Sequence, residues 1–394
     1  MERVVLLSGA RTAIGGFGGS LAEIPAAQLG AAVARVALER SGVRPEQVDD
    51  VIFGCVGQVG SDAYIARAVS LGAGLPVEVP AYTVNRLCGS GLQSIGSGAE
   101  AIQSGRAEVV LAGGTESMSR LPYLVPDLRW GRRMGQAVME DALTLTLTDP
   151  FNRYHMGVTA ENLAAQYSIS RQEQDELALL SQRRAGEAIR AGRFAEEIVP
   201  VEVPGKKGQV TVFATDEHPR PDTPPERLAS LKPAFKEGGT VTAGNASGIN
   251  DGAAAVVLMS ERRAKALGLR PRLEFLGYAV AGVKPEIMGI GPVPAVRKVL
   301  ERTGLGLDQI EVVELNEAFA AQALAVTKEL GLVWSRVNPN GGAIAMGHPV
   351  GATGAILTVK LMHDMDRRGL SLGMATLCIG GGQGIAAVFR RWEG

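Results

Sequence analysis

The sequence contains few cysteines and few histidines. Its 394 residues include three cysteines, far apart and without a CxxC pair, and four histidines. Three cysteines cannot all pair with one another, so the composition indicates a reducing cytoplasm and not a disulfide framework. Neither residue type occurs at chelating spacing, which argues against a metal site.

The chain also lacks a large net charge and a long apolar run. Its formal net charge is -1, which supplies none of the positive field that nucleic-acid or anionic-membrane binding uses. No stretch reaches the roughly 18 uncharged residues of a transmembrane helix, and residues 1–10 do not have the form of an export signal. We therefore expect a small-molecule partner, with no nucleic acid and no membrane.

The residues that are present are typical of a folded α/β protein. Hydrophobic residues make up 46% and charged residues 21% of the chain, and the length predicts roughly two or three domains. Helical patterns over residues 29–40 and 92–102 alternate with short apolar runs, which we interpret as buried strands. These runs lie at residues 4–7, 51–53, 109–112, 256–259, 312–315 and 374–379.

Two passages look like copies of one unit. In each, a glycine-rich loop (VNRLCGSG or NGGAIAMGHPVGATGA) starts a helix, and the helix leads into a strand that ends in or near glycines. This similarity indicates duplicated halves. The segment between them is richer in proline and has a helical pattern over residues 160–190, so we interpret it as an insertion that covers a site. The expected units are residues 1–118 with 250–269, the insertion 119–249, and the second half 270–394.

Cys88 is the first candidate for chemistry. It lies in Asn85–Gly91, just before a helical pattern, and the positive end of a helix dipole favours a thiolate. The adjacent glycines allow a sharp turn that could expose the sulfur and aim amide groups at a bound carbonyl oxygen. The alternative from this loop alone is a buried packing cysteine, which is a common role of free cysteines.

His348 is the second candidate. It lies in the glycine-rich stretch Gly341–Gly354, which also approaches a helix start. An imidazole there could take the proton of a thiol or donate a hydrogen bond to a developing oxyanion. The alternative is a loop histidine that hydrogen-bonds to the backbone.

Cys378 ends an apolar strand and is followed by a glycine-rich turn at residues 379–384. A thiol at this position could exchange protons with a substrate. No Lys-Ser/Thr pair follows the glycines, so the turn does not predict a nucleotide-phosphate loop. A Cys/His hydrolase could use Cys88 and His348 alone and would not need this second thiol.

Asn316 and Glu317 follow the strand at residues 312–315, at a carboxyl end where α/β proteins commonly bind ligands. Local evidence favours the alternative that Asn316 caps a helix. Cys55 has no adjacent base or helix signal, and we assign it to packing.

Taken together, four ordered motifs closely resemble the thiolase family. They are Asn-x-x-Cys-Gly-Ser-Gly, Asn-Glu-Ala-Phe-Ala, Gly-His-Pro-x-Gly-Ala-x-Gly and Cys-Ile-Gly-Gly-Gly-x-Gly, and GNASGINDGAAA and HMGVTAEN extend the resemblance over nearly the whole chain. The resemblance implies two α/β halves packed as a five-layered α-β-α-β-α core, an inserted loop domain, and homo-oligomers (dimers or tetramers).

The resemblance also implies a ping-pong mechanism on acyl-CoA. His348 helps to deprotonate Cys88, whose thiolate forms an acyl-enzyme, and Cys378 exchanges the α-proton of the second acyl-CoA. His348 and a water held by Asn316 meet the enolate oxygen, and the amides of Cys88 and Gly380 meet the tetrahedral oxygen. No tightly bound cofactor is implied, because the coenzyme A thioester is the substrate.

Matching positions imply the contacts to coenzyme A. Arg220 would meet its nucleotide end and Ser247 its pantetheine chain, while His155 and Met156 lie beside the thioester. The remaining expected contacts are Ala246, Ala318 and Met288. The inserted loop domain would hold the coenzyme.

Two subtypes remain open from the sequence. HMGVTAEN resembles short-chain enzymes that condense two acetyl-CoA into acetoacetyl-CoA, whereas VNRLCGSG and NPNGGAIAMGHP equally resemble degradative 3-oxoacyl-CoA thiolases of β-oxidation. Condensing enzymes that use acyl-carrier protein would need a second histidine at Asn316. A non-catalytic CoA-binding module would not need Cys88, His348 and Cys378 together.

Overall fold

The computed structural model describes residues 2–205 and 208–393. Most of its strands belong to one large mixed sheet. The strands are β1 (Val4–Thr12), β2 (Gly15–Gly16), β3 (Asp50–Gly54), β4 (Ala81–Val84), β5 (Val109–Ser117), β6 (Tyr123–Leu124), β7 (Glu140–Asp141), β8 (Ile198–Val199), β9 (Val201–Pro204), β10 (Val210–Phe213), β11 (Asn250–Ser260), β12 (Leu273–Gly282), β13 (Val312–Leu315), β14 (Leu372–Ile379) and β15 (Gln383–Arg391).

The helices alternate with these strands in each half of the chain. They are α1 (Ala26–Ser41), α2 (Ile65–Gly72), α3 (Ser90–Gln103), α4 (Ala142–Thr146), α5 (Met156–Gln166), α6 (Arg171–Arg190), α7 (Pro225–Ala229), α8 (Glu261–Ala266), α9 (Pro292–Thr303), α10 (Ala320–Leu330), α11 (Ala343–Met346) and α12 (Thr353–Arg368). Short 3₁₀ helices lie at Pro45–Gln47, Gly60–Tyr64, Met118–Arg120, Pro126–Leu128, Pro285–Ile290 and Leu307–Gln309.

The large sheet consists of two halves with the same strand order, apart from the additional edge strand β4 of the first half. Outward from the centre, the first half runs β1-β11-β5-β3-β4 and the second runs β12-β15-β14-β13. Antiparallel pairing of β1 with β12, for example Val4 opposite Phe275, joins the halves. The repeated order agrees with the duplication that the sequence predicts.

The helices complete the predicted layers. Helices α3 and α12 pack against each other and contact strands of both half-sheets, so they form the central layer. Helix α1 covers the outer face of the first half-sheet, and α9 covers that of the second. The order is therefore α-β-α-β-α, and the predicted five-layered core is confirmed.

All the runs predicted as strands lie in strands, and the helical patterns at residues 29–40 and 92–102 lie in α1 and α3. The pattern over residues 160–190 is not one helix, because it divides into α5 and α6. The break includes Ser168, whose φ of 50° lies in the left-handed region and cannot continue a helix.

The insertion contacts the first half through a buried ion-pair cluster. Arg11 of β1 is fully buried, with its guanidinium 2.7 Å from Glu197 and 2.7 Å from Asp216. Strand β8 of the insertion also pairs with β1. The proposed unit boundaries stay a prediction. In the described part of the chain, no helix combines the length and the apolar character needed to cross a membrane.

Candidate active site

Cys88 lies in a tight turn between β4 and α3. Leu87 precedes it with a left-handed φ of 46°. Gly89 follows it, and a Cβ there would come within 2.6 Å of the Ile379 side chain. Ser90 stabilises the turn, since its hydroxyl donates to the Leu87 carbonyl at 2.6 Å. The strained residue and the glycine together place the thiol on the wall of a cavity.

Burial raises the pKa of the Cys88 thiol. The backbone N–H groups of Gly380 and of Cys88 itself face the sulfur and act in the opposite direction, but desolvation is larger. The helix start therefore does not outweigh desolvation, and the Cys88 thiol needs a base, which is the role expected of His348. Two amides beside the thiol are also the type of donor that can stabilise the oxygen of an acyl group bound to it.

His348 lies between α11 and α12, behind Gly347, whose φ of 103° lies in the left-handed region. The Thr353 hydroxyl donates to the Pro349 carbonyl at 2.9 Å, so it accepts from Nδ1 of His348 at 2.7 Å. This assigns the ring hydrogen to Nδ1 and leaves Nε2 as the basic nitrogen. Burial lowers the pKa of His348 to about 4, so the ring is neutral at pH 7.

Asn316 is fully buried behind His348. Its Nδ2 lies 3.3 Å from His348 Nε2, and its Oδ1 has no hydrogen-bond partner among the described residues. Helix α10 begins only at Ala320 and has no side-chain cap. The helix-capping alternative for Asn316 is therefore wrong.

Cys378 is the next-to-last residue of β14 and is completely buried. Burial, with a smaller effect from Cys88, raises its pKa strongly, so it holds its proton at neutral pH. Gly380 begins the turn to β15, and a Cβ there would come within 3.0 Å of Met156 Cε. A side chain at this position would therefore push against Met156 in the wall of the cavity.

One cavity of about 300 Å³ collects most of the predicted site residues. Those that line it are Cys88, His155, Met156, Ala246, Ser247, Met288, Ala318, His348, Cys378 and Gly380. Asn316 lies behind it, against His348. Arg220 does not line it. The Arg220 side chain is exposed, and its guanidinium donates to the backbone carbonyls of Glu217, His218 and Pro219.

His155 caps helix α5 and forms part of the cavity wall. Its Nδ1 accepts from the Gly157 backbone N–H at 3.0 Å, so the ring hydrogen is on Nε2. The ring stacks on Phe235 with centroids 4.6 Å apart, and burial lowers its pKa. His155 is therefore a neutral hydrogen-bond donor at pH 7.

The predicted pantetheine contact lies where two motifs meet. The backbone N–H of Ser247 donates to the Ala318 carbonyl at 2.9 Å, and Ala246 forms a bridge with Phe319. Met156 at the start of α5 and Met288 of a 3₁₀ helix supply flexible apolar side chains to the same cavity. The cavity thus suits a small apolar group attached to a polar chain.

Sequence reasoning did not identify several apolar residues of the cavity. Phe319 and Val350 lie inside the recognised motifs and could have been found there. Leu147 and Phe235 belong to the insertion, where no local signal marks them. Within the described residues, no group of three or more His, Cys, Asp and Glu side chains is arranged to hold a metal ion.

The comparisons with known proteins extend over nearly the whole chain. Residues 4–262 match the model of the thiolase N-terminal domain, and residues 269–391 match that of the thiolase C-terminal domain. An acetyl-CoA acetyltransferase from Pseudomonas aeruginosa is 55% identical over 392 residues, with 99% of this chain and 100% of that protein covered.

Two solved structures share the fold. The structure of the Bacillus anthracis acetyl-CoA acetyltransferase has a TM-score of 0.98 at 49% identity and covers 100% of this chain and 99% of its own. Human mitochondrial 3-ketoacyl-CoA thiolase in complex with CoA has a TM-score of 0.95 at 47% identity and covers 99% and 98%. With the family models and the predicted motifs in agreement, the chain belongs to the thiolase family.

Proposed function

We propose that this protein is an acetyl-CoA C-acetyltransferase, which reversibly condenses two acetyl-CoA into acetoacetyl-CoA and CoA. The observation that carries the proposal is one cavity that contains two thiols, Cys88 and Cys378, and the neutral imidazole of His348. The relatives named acetyl-CoA acetyltransferase support the same activity. The acyl-CoA is a substrate, and the reaction uses no tightly bound cofactor.

In the first half-reaction, His348 Nε2 takes the proton of Cys88 as the sulfur attacks the acetyl thioester carbon. The amides of Cys88 and Gly380 meet the oxygen of the tetrahedral intermediate, and such donors each contribute about 10²–10³ in rate. When the intermediate collapses, the carbon–sulfur bond to CoA breaks and the proton passes from His348 to the leaving thiolate. The acetyl group remains on Cys88.

In the second half-reaction, Cys378 acts on the α-carbon of the other acetyl-CoA. In the cleavage direction its thiol protonates the acetyl-CoA carbanion, and a raised pKa suits an acid that holds its proton until a carbanion forms. In the condensation direction Cys378 gives its proton to Nε2 of His348, and its thiolate removes the α-proton. The enolate carbon then attacks the acetyl carbon on Cys88, the carbon–sulfur bond breaks, and the released Cys88 thiolate takes the proton back from His348. While Nε2 of His348 carries that proton, it and a water held by Asn316 meet the enolate oxygen.

The insertion at residues 119–249 is the proposed loop domain that holds coenzyme A. Ser247, His155 and Met156 would contact the pantetheine and thioester end, and Arg220 the nucleotide end outside the cavity. The CoA complex of the human relative supports this class of ligand. For Arg220, binding requires that the guanidinium leave the three carbonyls it now contacts.

The second candidate is a degradative 3-oxoacyl-CoA thiolase of broader chain length. The 47% identity to human 3-ketoacyl-CoA thiolase favours it. Thiolysis rates for acetoacetyl-CoA and for progressively longer 3-oxoacyl-CoA substrates distinguish the two. The acetyltransferase itself is tested by rapid acid quench after mixing with acetyl-CoA, followed by peptide mass spectrometry of Cys88.

The proposal includes a cytoplasmic homo-oligomer, a dimer or tetramer. The free thiols of Cys55, Cys88 and Cys378 suit a reducing compartment. Large apolar side chains are exposed in the insertion, and contact with another subunit would bury them. They are Tyr123, Leu128, Trp130, Met134, Val138 and Met139. Light scattering during gel filtration measures the oligomer number.

A further inference from the structure

Glu116 is a buried carboxylate that the proposed mechanism does not use. It is the eighth residue of β5, only 1% exposed. Its carboxylate accepts from the backbone N–H groups of Val56 at 2.9 Å, Gly57 at 2.9 Å and Gly351 at 2.8 Å. Val56 and Gly57 follow β3 in the first half, and Gly351 belongs to the second half. Glu116 therefore joins loops of both halves.

The strand register gives Glu116 a counterpart in the second half. Strand β3 ends at Gly54, which pairs with Gly114 of β5, and β13 ends at Leu315, which pairs with Thr376 of β14. Two residues beyond Gly114 is Glu116, and two residues beyond Thr376 is Cys378. The two side chains thus occupy equivalent positions of the duplicated fold.

The central helices extend this equivalence. Helices α3 and α12 approach each other most closely at Gly91 and Gly354, since a Cβ at either glycine would collide with the other helix. Three residues before these glycines are Cys88 and Gly351. Gly351 is accordingly equivalent to Cys88, as Glu116 is to Cys378. The hydrogen-bonded pair Gly351 and Glu116 therefore occupies the same place in the duplicated fold as the neighbouring pair Cys88 and Cys378.

We propose that Glu116 is a positioning residue, which holds the His348 loop (residues 347–352) against the loop after β3. The inference rests on the function proposed above. Val350 in the His348 loop and Val56 after β3 both line the cavity and pack beside Cys88. Because Glu116 bonds to Val56 and to the residue after Val350, it fixes the separation of these two walls. His348 lies in the same short loop and is positioned with them.

The carboxylate also has an electrostatic effect on the nucleophile. The negative charge of Glu116 contributes to the raised pKa of Cys88, after the larger effect of burial. Burial raises the pKa of Glu116, and the three N–H donors act in the opposite direction by favouring its charged form. Two substitutions of Glu116 can therefore separate the effect of its charge on Cys88 from the effect of its hydrogen bonds on the two loops.

The test compares Glu116→Gln and Glu116→Asp with wild type. Glu116→Gln removes the charge and places an amide NH₂ against an N–H donor, so kcat for thiolysis of acetoacetyl-CoA falls about 10²-fold, as misplaced reacting groups commonly cause. KM stays unchanged, and the midpoint of Cys88 alkylation by iodoacetamide against pH moves to lower pH. Glu116→Asp keeps the charge and the midpoint, but its shorter side chain lowers kcat.

Cys55→Ala is the matched control, because the Cys55 thiol donates to the same carboxylate at 3.6 Å while the three backbone N–H bonds that hold the loops stay in place. It should retain kcat within a few-fold. A Glu116→Gln protein with wild-type kcat and an unmoved alkylation midpoint overturns the inference, and so does a lower melting temperature as the sole change. If Glu116→Gln does not fold, wild-type kcat in Glu116→Asp overturns it. Failure of wild type to acetylate Cys88 refutes the proposed function instead.

Discussion

Replacing Cys378 by alanine should separate the two half-reactions. In the proposed mechanism Cys378 exchanges a proton with the α-carbon, and it does not touch the thioester carbon that Cys88 attacks. The Cys378→Ala protein should therefore still form the acetyl-enzyme at Cys88, yet fail to cleave acetoacetyl-CoA. The outcome depends on which of the two thiols each half-reaction requires.

The expected size of the effect follows from the role of a general acid. Such groups contribute about 10²–10⁴ in rate, which corresponds to about 3–5 kcal/mol of barrier. The cost to folding is smaller, because removing one buried sulfur leaves a hole of methyl size that costs about 1 kcal/mol. The variant should thus be folded and lose thiolysis by about 10²-fold or more.

The assay pairs quenched mass spectrometry of Cys88 with steady-state thiolysis of acetoacetyl-CoA. Cys55→Ala supplies the control, since Cys55 is also buried, at 1% exposure, and does not line the cavity. It should acetylate and turn over normally. Turnover of Cys378→Ala within a few-fold of wild type would return Cys378 to a packing role. Loss of acetylation in a protein with a wild-type circular dichroism spectrum would refute the separation of roles.

Four further predictions follow from the cavity and its surroundings. Acetyl-CoA should add one acetyl group to Cys88, and full labelling in Cys88→Ala would contradict this. The acetylation rate should be nearly constant between about pH 5 and 8, because neither His348, with a pKa of about 4, nor Cys88, whose pKa is raised, changes its protonation state in that range. A tenfold rise in rate per pH unit would show that solvent deprotonates the thiol instead. If Met156, which lines the cavity, narrows the proposed acyl site, kcat/KM should be highest for the four-carbon substrate, by about 10 to 200-fold per methylene, and Met156→Ala should reduce this preference. Equal or rising values up to sixteen carbons favour the degradative enzyme. Burial and Arg272 lower the pKa of His363 to about 3, so as the pH falls the unfolded chain binds a proton at this residue before the folded protein does. The free energy of unfolding should therefore fall by about 2 kcal/mol from pH 7 to pH 5 through His363. Urea titration measures this fall, which His363→Gln should not show.

The strands that the sequence predicted share one property. Runs such as Val109 to Ala112 are buried on both faces, so they are continuously apolar and easily recognised. Strands β12 and β15 were missed. In β12 the pairing register shifts between Phe275 and Gly277, and charged Glu274 interrupts the apolar run. Strand β15 contains a continuous apolar run at residues 385–389, which is fully buried, so the sequence could have predicted this strand.

The sequence identified the residues of the candidate site, but it did not predict how strongly the surrounding side chains exclude water from them. Motifs identified Cys88, His348 and Cys378, and the fold brings all three to one cavity. The helix start that favours a thiolate at Cys88 is visible in the sequence, whereas the desolvation that raises the pKa of Cys88 is not. Desolvation depends on side chains far away in the chain, such as Leu147 and Met118, which pack around the sulfur.

The same desolvation explains how the site can be both buried and reactive. At neutral pH the thiols of Cys88 and Cys378 and the ring of His348 are all uncharged, because burial disfavours the thiolate and the imidazolium alike. In the proposed mechanism, charge separates when the proton moves from Cys88 to Nε2 of His348, next to the two amides that face the sulfur. An acetyl group therefore enters a cavity that is neutral and largely apolar, and the donors act on the charge that develops during the reaction.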